Sequence, residues 1–486
     1  MPALIYRSAR RLGRRALVLL AACALPCLLP AAATSLPTEI DAALTRSRLP
    51  RDAVTLLVAD AQGRTPPRLA WRPQAPMNPA SVMKLITTYA GLDLLGPAYA
   101  WKTPVYLGGP VHDGVLEGSL YLQGQGDPTL VMERLWLLLR RVQGLGIRRI
   151  QGDIVLDRSA FVLPDTRPSD FDGEPLKPYN AAPDALLINY RSVVMTLVPD
   201  AAAGVARINH EPPLAGVQTQ STVPLLAGDC GDWRGGLKGQ FADPARIAFA
   251  GGYPLSCGEK VWPLAYSDPA SYSRRAVEGL WKEMGGQLGG STREGPVPAG
   301  LPVAFSVASP PLAEVIRDIN KYSNNVMAQQ LFLTLSLQRN GVGTPEASRE
   351  ILRQWWVRRF GEADLPAIDN GSGLSRDSRL SAQALAGLLQ AAWEGGTMPE
   401  LLASLPISGV DGTLRRLGQE RASVVGAAHL KTGSLNDVAA VAGFVNGASG
   451  RRYVLVAIAN HPNASAFRPV IESLIDWTTR DLNPKP

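Results

Sequence analysis

Apolar residues recur along the chain with two different spacings, and the change between them divides it into regions. Near the beginning, the apolar run over residues 52–60 predicts a buried strand, and residues 68–72 predict its return strand after a turn at Gln62-Gly63. Helical spacing then predicts a helix that ends before Gly96-Pro97, with apolar positions at Met83, Ile86, Ala90 and Leu94. At the other end of the chain, strand-like runs over 427–432, 438–445 and 453–459 precede a helix over 470–480.

The stretch between residues 103 and 267 has a different texture, because short strand-like runs there alternate with glycine and proline. We predict strands over 115–123, 152–156, 186–198 and 205–210, a helix over 129–143, and a long ordered loop over 167–183. Helical spacing then returns over 272–284, 312–320, 325–337, 348–360 and 382–393. If the strands at both ends share one sheet, the middle of the chain is an insertion in a discontinuous domain.

Composition changes this picture only at the beginning of the chain. The 486 residues are 46% hydrophobic and 19% charged, which is globular and sufficient for two to four domains. The formal net charge of +7 falls to +2 without the five arginines of the first 15 residues, so we expect no nucleic-acid partner. Those arginines precede an apolar run over 16–29 and the small residues Ala31-Ala32-Ala33. This pattern predicts a secretory signal cleaved near Ala33 and a periplasmic protein, with lipidation at Cys23 as the alternative.

Cysteine and histidine usage agrees with export. After the predicted signal only Cys230 and Cys257 remain, and a single pair in an exported chain predicts a disulfide, with two reduced thiols as the alternative. The four histidines are scattered without the spacing of metal ligands, so we expect no metal site.

The first candidate chemistry lies at the head of the helix that follows residue 78. Ser81 and Lys84 are three positions apart, so on a helix their side chains share one face, one turn apart. Ser81 also lies near the helix N-terminus, where unpaired N–H groups favour negative charge. The pair predicts a serine nucleophile with a lysine base, although a capping serine beside a solvated lysine gives the same pattern.

Two further motifs favour the catalytic interpretation. Ser323-Asn324-Asn325 lies between two predicted helices, and Lys431-Thr432-Gly433, followed by Ser434, lies at the end of a predicted strand. Ser-x-x-Lys, Ser-x-Asn and Lys-Thr-Gly together form the motif set of penicillin-reactive serine enzymes. Ser323 can relay a proton near the leaving group, and Asn325 can orient Lys84 and bind a substrate amide.

The third motif has the chemistry of a carboxylate site. Lys431 supplies a fixed positive charge for a substrate carboxylate, and the hydroxyls of Thr432 and Ser434 lie beside it. The strand after Lys431 offers backbone groups to an extended peptide. The N–H groups of Ser81 and Ser434 are the expected oxyanion hole.

With these motifs the chain resembles the low-molecular-mass class C penicillin-binding proteins, which are serine D-alanyl-D-alanine carboxypeptidases and endopeptidases. Residues 126–130, Gly-Asp-Pro-Thr-Leu, and residues 369–376, Asp-Asn-Gly-Ser-Gly-Leu-Ser-Arg, match two further signatures of that family. Ser323 follows Lys84 by 239 positions, a gap that holds two extra domains in this family. One departure is minor, since the middle motif is Ser-Asn-Asn where related enzymes often have Ser-Asp-Asn.

The resemblance implies an α+β fold with a discontinuous penicillin-binding/β-lactamase-like transpeptidase domain, built on an antiparallel sheet flanked by helices, and two inserted β-rich domains. The expected division is a signal peptide over 1–33, the catalytic domain over 34–104 and 289–486, inserted domain II over 105–190 and 262–288, and inserted domain III over 191–261.

The resemblance also implies a function. It predicts a serine D-Ala-D-Ala carboxypeptidase and DD-endopeptidase that acts on peptidoglycan stem peptides and crosslinks through an acyl-enzyme on Ser81, binds β-lactams and needs no cofactor. Arg376 is at a position resembling one that binds the free end of the substrate side chain, and Asp172 is the candidate acid from the 167–183 loop. Loose membrane association and self-association stay open.

Two other functions fit parts of the pattern. A serine β-lactamase shares the three motifs, but it needs a fast deacylating base and normally lacks the large insertion. A catalytically inactive wall-binding relative would first lose the serine, lysine or asparagine, and all three are present. A Ser-His-Asp hydrolase is disfavoured because the sequence contains no Gly-x-Ser-x-Gly elbow.

Overall fold

The computed structural model describes residues 35–419 and 421–481, so the predicted signal peptide and Cys23 lie outside the described residues. The α-helices of these ranges are α1 (Thr38–Arg46), α2 (Lys84–Leu95), α3 (Met132–Gly144), α4 (Trp233–Leu237), α5 (Pro269–Glu283), α6 (Leu312–Lys321), α7 (Asn325–Asn340), α8 (Pro345–Phe360), α9 (Ala382–Glu394), α10 (Met398–Ser404) and α11 (Arg468–Thr479). None of the helices in the described part of the chain is both long and apolar enough to cross a bilayer.

The strands of the same ranges are β1 (Val54–Asp60), β2 (Leu69–Trp71), β3 (Lys102–Leu107), β4 (Val111–His112), β5 (Val115–Leu116), β6 (Leu120–Gln123), β7 (Arg149–Ile150), β8 (Ile154–Asp157), β9 (Ser192–Asp200), β10 (Val205–Glu211), β11 (Gln218–Thr219), β12 (Thr222–Leu226), β13 (Gly239–Gln240), β14 (Arg246–Phe249), β15 (Tyr253–Pro254), β16 (Lys260–Ala265), β17 (Gln287–Leu288), β18 (Thr292–Glu294), β19 (Val303–Ala308), β20 (Ala428–Leu435), β21 (Val438–Asn446) and β22 (Arg452–Asn460).

Strands from both ends of the chain form one antiparallel sheet, as the apolar pattern predicts. Its order is β2-β1-β22-β21-β20, so β1 pairs directly with β22 across almost 400 residues of sequence. Alternate residues of β22 enter two different cores, because side chains of a strand alternate between the faces of its sheet. Helices α2, α6, α7 and α9 cover one face with Val454, Val456 and Ile458. Helices α1 and α11 cover the other with Leu455, Ala457 and Ala459.

The middle of the chain builds smaller sheets around a third core. Their orders are β18-β8-β6-β3-β19, β17-β7-β5-β4, β15-β12-β10-β9-β16 and β11-β14-β13. Helices α3 and α5 pack their apolar faces against them, with Leu138 and Leu280 fully buried. A disulfide joins Cys230 to Cys257 in this region, which confirms the predicted pair.

Several predicted boundaries differ from the structure. The single strand expected over 115–123 is two strands in different sheets, because the chain turns at Glu117-Gly118-Ser119 between β5 and β6. The strand expected over 186–198 begins only at Ser192, after a 3-10 turn at Asn189–Arg191. The Lys-Thr-Gly motif lies in the middle of β20 rather than at the end of a strand. The sequence did not predict helices α1, α4 and α10, which are nine, five and seven residues long and therefore give only a short periodic signal.

The predicted division into domains stays a prediction, and the strand pairing favours one change of boundary. Strand β3 pairs with β19 and β8 pairs with β18, so both later strands belong to a sheet of the inserted region. We propose that the catalytic domain resumes after Ala308, instead of at residue 289. The backbone N–H of Ser309 donates to Trp101 at this junction, which supports the proposal.

Candidate active site

The predicted nucleophile lies in a 3-10 turn, Ala80–Met83, that leads directly into α2. Asn78 fixes this turn, because its main-chain N–H donates to the Asn460 side chain at 2.7 Å and its own amide donates to the Ser375 carbonyl at 2.9 Å. Ala80 has a φ of 45°, a left-handed conformation that non-glycine residues rarely adopt. The turn is therefore held by the Asn460 side chain of β22 and by the Ser375 carbonyl of the 369–376 segment.

Lys84 is fully buried and its Nζ has three partners. It lies 2.8 Å from Ser81 Oγ, 2.6 Å from Asn325 Oδ1 and 2.6 Å from the Ser372 carbonyl oxygen. A neutral amine has two N–H groups and one lone pair. When the Asn325 and Ser372 oxygens accept the two N–H groups, the lone pair is directed at the Ser81 hydroxyl.

The environment of Lys84 favours this neutral form. Burial lowers the pKa of Lys84 well below its ordinary value, and the charge of Lys431 lowers it further. The structure thus brings Ser81, Lys84 and Asn325 together as the sequence predicted. It also adds Ser372, whose carbonyl role could not be read from the residue type.

Lys431 is the second fully buried lysine of the site. Its Nζ donates to Ser323 Oγ at 2.8 Å and to the Thr432 carbonyl at 2.7 Å. Burial lowers the pKa of Lys431 to about 7. The sequence predicts a fixed charge on this lysine, and burial makes that charge easier to lose than the charge of an exposed lysine. Ser323 has a φ of 56°, so the backbone of the middle motif is also in the left-handed region.

Strand β20 lies directly against the Ser81 turn. A Cβ at Gly433 would lie 2.4 Å from the Pro79 carbonyl oxygen and 3.1 Å from the Ser81 nitrogen, so no other residue fits there. This contact places the third motif beside the nucleophile. The Thr432 hydroxyl donates to Thr413 Oγ1 at 2.8 Å, a neighbour that sequence reasoning missed.

The predicted substrate-side residues are also close to one another. The Arg376 guanidinium lies 4.9 Å from the centre of the Phe171 ring and donates to Asp437 at 2.9 Å. Asp172 accepts from the Tyr179 hydroxyl at 2.9 Å and from Asn180 Nδ2 at 2.7 Å. Although burial raises the pKa of Asp172, these hydrogen bonds and the charge of Arg376 outweigh it and lower the pKa.

The described residues contain no group of three or more His, Cys, Asp or Glu side chains placed to hold a metal ion. The site offers a buried amine next to a hydroxyl, a second lysine next to another hydroxyl, and a strand that can pair with a peptide. These are the groups needed for acyl transfer through a serine.

Comparison with known proteins agrees with this geometry. The model of the D-Ala-D-Ala carboxypeptidase 3 (S13) family matches residues 36–481. A D-alanyl-D-alanine carboxypeptidase from Actinomadura sp. (strain R39) is 29% identical over 395 residues, which is 76% of this chain and 71% of that protein.

Solved structures show the same fold. Penicillin binding protein 4 (dacB) from Haemophilus influenzae superposes with a TM-score of 0.71 and 21% identity, over 90% of this chain and 98% of that one. A complex of the same protein with a β-lactam gives a TM-score of 0.68 and 22% identity, over 91% and 98% of the two chains. The chain belongs to the D-Ala-D-Ala carboxypeptidase 3 (S13) family.

Proposed function

We propose that the chain is a serine D-Ala-D-Ala carboxypeptidase and DD-endopeptidase, which cleaves peptidoglycan stem peptides and crosslinks through an acyl-enzyme on Ser81. The observation that carries the proposal is the placement of Lys84 Nζ, 2.8 Å from Ser81 Oγ with both of its other hydrogen-bond directions taken by carbonyl oxygens. Family membership supports the same activity.

Acylation begins with transfer of the Ser81 hydroxyl proton to the Lys84 amine as Oγ attacks the carbonyl carbon of the penultimate D-Ala. The N–H groups of Ser81 and Ser434 stabilise the oxyanion that forms, and the close packing of Gly433 of β20 against the Ser81 turn supports this assignment. The carboxylate of the terminal D-Ala lies near Lys431, with the hydroxyls of Thr432 and Ser434 as donors.

Collapse of the intermediate breaks the peptide C–N bond, and the leaving amine takes a proton. Ser323 Oγ, 2.8 Å from Lys431 Nζ, delivers that proton and is reprotonated by Lys431. The proton that Lys84 took from Ser81 then passes to Lys431, so that Lys84 is again a neutral base and Lys431 is again a cation. Water attacks the ester on Ser81 and gives its proton to Lys84, which passes that proton to Ser81 Oγ as the ester bond breaks. Hydrolysis releases the shortened peptide and restores the free serine.

The substrate side chain extends toward Arg376 and Asp172. Arg376, which lies over the Phe171 ring, is the cation, and Asp172 is the anion. Together they suit a substrate side chain that ends in both an amine and a carboxylate. We also propose that the protein is exported to the periplasm, because its disulfide requires an oxidising compartment and its substrate is extracytoplasmic.

Treatment of the mature protein with benzylpenicillin tests the proposal. We expect one covalent adduct per chain, located by peptide mapping on the peptide that contains Ser81, and no adduct in Ser81→Ala. An inactive wall-binding relative would form no adduct, and a β-lactamase would release it within seconds. Incubation with purified muropeptides, followed by mass spectrometry, then separates loss of D-Ala from cleavage of crosslinks.

A further inference from the structure

Asn325 connects the base to a loop of the inserted region. Its Oδ1 accepts from Lys84 Nζ at 2.6 Å, and its Nδ2 donates to the main-chain carbonyl of Tyr179 at 3.0 Å. An amide has one acceptor end and one donor end, so a carbonyl at Nδ2 determines that the oxygen faces Lys84. With the amide turned over, its N–H would compete with the Ser81 hydroxyl for the Lys84 lone pair.

The Tyr179 carbonyl is itself clamped. It belongs to the peptide unit between Tyr179 and Asn180, and Asp172 holds the side chains of both residues. Asp172 also accepts from the Glu174 N–H at 3.1 Å, and Asn180 Nδ2 donates in addition to the Glu174 carbonyl at 3.0 Å. We call Asp172, Tyr179 and Asn180 the clamp.

One side of this loop borders open space. A cavity of about 900 Å³ borders it, lined among others by Leu163, Phe171 and Asn180 on the loop side and by Phe332 and Leu374 on the catalytic side. With open space along one side, the hydrogen bonds of the clamp act together with the main-chain bonds of the 3-10 turn Pro178–Asn180 in holding the Tyr179 carbonyl.

We propose that the clamp is a positioning device for acylation: Asp172 and Asn180 hold the Tyr179 carbonyl, which orients Asn325 and thereby directs the Lys84 lone pair at Ser81. This inference rests on the proposed function, because it concerns the same acylation. It gives Asp172 a second role, independent of any contact with the substrate side chain. Recognition of that side chain and activation of the nucleophile then share one carboxylate.

Benzylpenicillin separates the two roles, since its side chain ends in a phenyl ring and carries no amine for Asp172 to bind. We expect the rate constant for acylation of Ser81 to fall about tenfold or more in Asp172→Asn and in Asn180→Ala, as for loss of a hydrogen bond to a charged group. Tyr179→Phe removes one bond of the clamp and should have a smaller effect in the same direction.

The matched control is Asp170→Asn. It removes the same charge from the same loop, two positions away, where the carboxylate accepts hydrogen bonds from the main chain and side chain of Arg167 and is not part of the clamp. We expect its acylation rate to equal that of the unmodified protein. Thermal unfolding of each variant shows whether the loop change alters global stability.

The pH profile separates positioning from simple loosening of the loop. In Asn180→Ala, which changes no charge, a turned Asn325 amide replaces an acceptor near Lys84 with a donor and disfavours the ammonium. In a plot of the acylation rate constant against pH, the rise on the acid side should then move to lower pH, and the maximal rate constant should fall. Loosening that admits water would raise the Lys84 pKa and move this rise to higher pH.

Three results distinguish the outcomes. Slower acylation in Asp172→Asn and Asn180→Ala, with the rise at lower pH, supports the clamp. Unchanged acylation in both variants, or a rise at higher pH, overturns it. If the unmodified protein forms no adduct on Ser81, the proposed function itself fails, and that result is visible before any variant is made.

Discussion

Two clusters of buried charge in this protein are built in opposite ways. In the active site, Lys84 and Lys431 are both fully buried, and no carboxylate forms an ion pair with either of them among the described residues. At the border of the inserted region, Asp184 is equally buried, but two arginines hold it: Arg158, with Nη2 at 2.7 Å, and Arg191.

The difference appears in the direction of the pKa shifts. Burial, and to a smaller extent the like charge of Lys431, lower the pKa of Lys84 and favour its neutral form. Burial alone would raise the pKa of Asp184, but the charges of Arg191 and Arg158 outweigh it and keep the carboxylate ionised. One cluster therefore sets a reactive protonation state, while the other joins chain segments. Removing a charge should affect activity at the first and stability at the second.

The largest expected effect follows from Lys84→Arg. Arginine keeps its proton throughout the accessible pH range, so it cannot accept the Ser81 proton. We expect acylation by benzylpenicillin to fall by at least about 10³-fold, the range of a lost general base. Stopped-flow or quenched-flow measurement of adduct formation checks this. Acylation at a near-normal rate would show that Lys84 is not the base.

Asp184→Asn should act mainly on stability. Removing the Asp184 charge takes the ion-pair partner from buried Arg191 and leaves Arg158 with Glu294 alone, which costs about 3 kcal/mol of unfolding free energy. Asp184 Oδ1 also accepts from the Leu186 N–H at 2.9 Å, and its backbone pairs with Gln330 of α7. Urea denaturation measures the loss. An unchanged midpoint would mean that the pair contributes nothing.

The same residue makes a prediction about pH. Because the pKa of Asp184 is lower in the folded protein, its contribution to stability is complete above the unfolded pKa of about 3.9 and is lost as the pH falls through the folded value. Asp184→Asn should therefore lose stability at neutral pH and show a weaker acid dependence. A variant at an exposed acid, Asp170→Asn, provides the control for general charge effects.

The disulfide belongs to the structural side of the comparison. Its ends are separated by 27 positions, and closing a loop of that length stabilises by about 3–4 kcal/mol if the chain-entropy account holds. We expect the double variant Cys230→Ser, Cys257→Ser to unfold more easily, with the acylation rate of Ser81 unchanged. Alkylation of the native protein without reductant should label neither thiol. A matching loss of acylation would couple this region to the active site.

The sequence predicted the motif residues and the shared sheet better than it predicted their neighbours. Ser81, Lys84 and Asn325 could be found because residue type and spacing carry their chemistry. The carbonyls of Ser372 and Tyr179 could not, since every residue has a carbonyl and only the fold determines which one reaches Lys84 or Asn325.

The inserted region shows a similar limit. Its strands are often two residues long, as in β4 (Val111–His112) and β7 (Arg149–Ile150), too short for an alternating pattern to be distinguished from a turn. The long strands of the catalytic sheet, by contrast, are buried over most of their length, as in β21 (Val438–Asn446). Their apolar runs are correspondingly clear in the sequence.

Lys431→Arg should have an intermediate effect on activity. It keeps a cation for the substrate carboxylate but misplaces the donor to Ser323 Oγ, so we expect weaker binding and about a tenfold loss of kcat/KM. Burial lowers the pKa of Lys431 to about 7, so binding of carboxylate ligands should weaken as the pH rises through that value in the unmodified protein. Arginine keeps its charge, so the variant should lack this pH dependence. If carboxylate binding by Lys431→Arg still weakened as the pH rises through about 7, a group other than Lys431 would be responsible for the pH dependence.

The smallest expected effect concerns Asp437, the partner of Arg376. The pair is largely exposed, with 47% and 55% of the two side chains accessible, so its strength is at most about 1 kcal/mol. A substrate carboxylate must displace Asp437 from Arg376 to bind there. Asp437→Asn should therefore improve binding about two- to fivefold for peptides whose side chain ends in a carboxylate.

Peptides with an uncharged side-chain end provide the internal comparison, because Arg376 has no anion to bind in them and their KM should not change. Asp377→Asn removes the same charge from the residue next to Arg376, at an exposed position, and serves as the matched variant. Added salt should reduce the benefit of Asp437→Asn, since exposed charges are screened. If Asp437→Asn improves both peptides equally, Arg376 does not read the side-chain carboxylate, and the gain comes from the overall charge of the site.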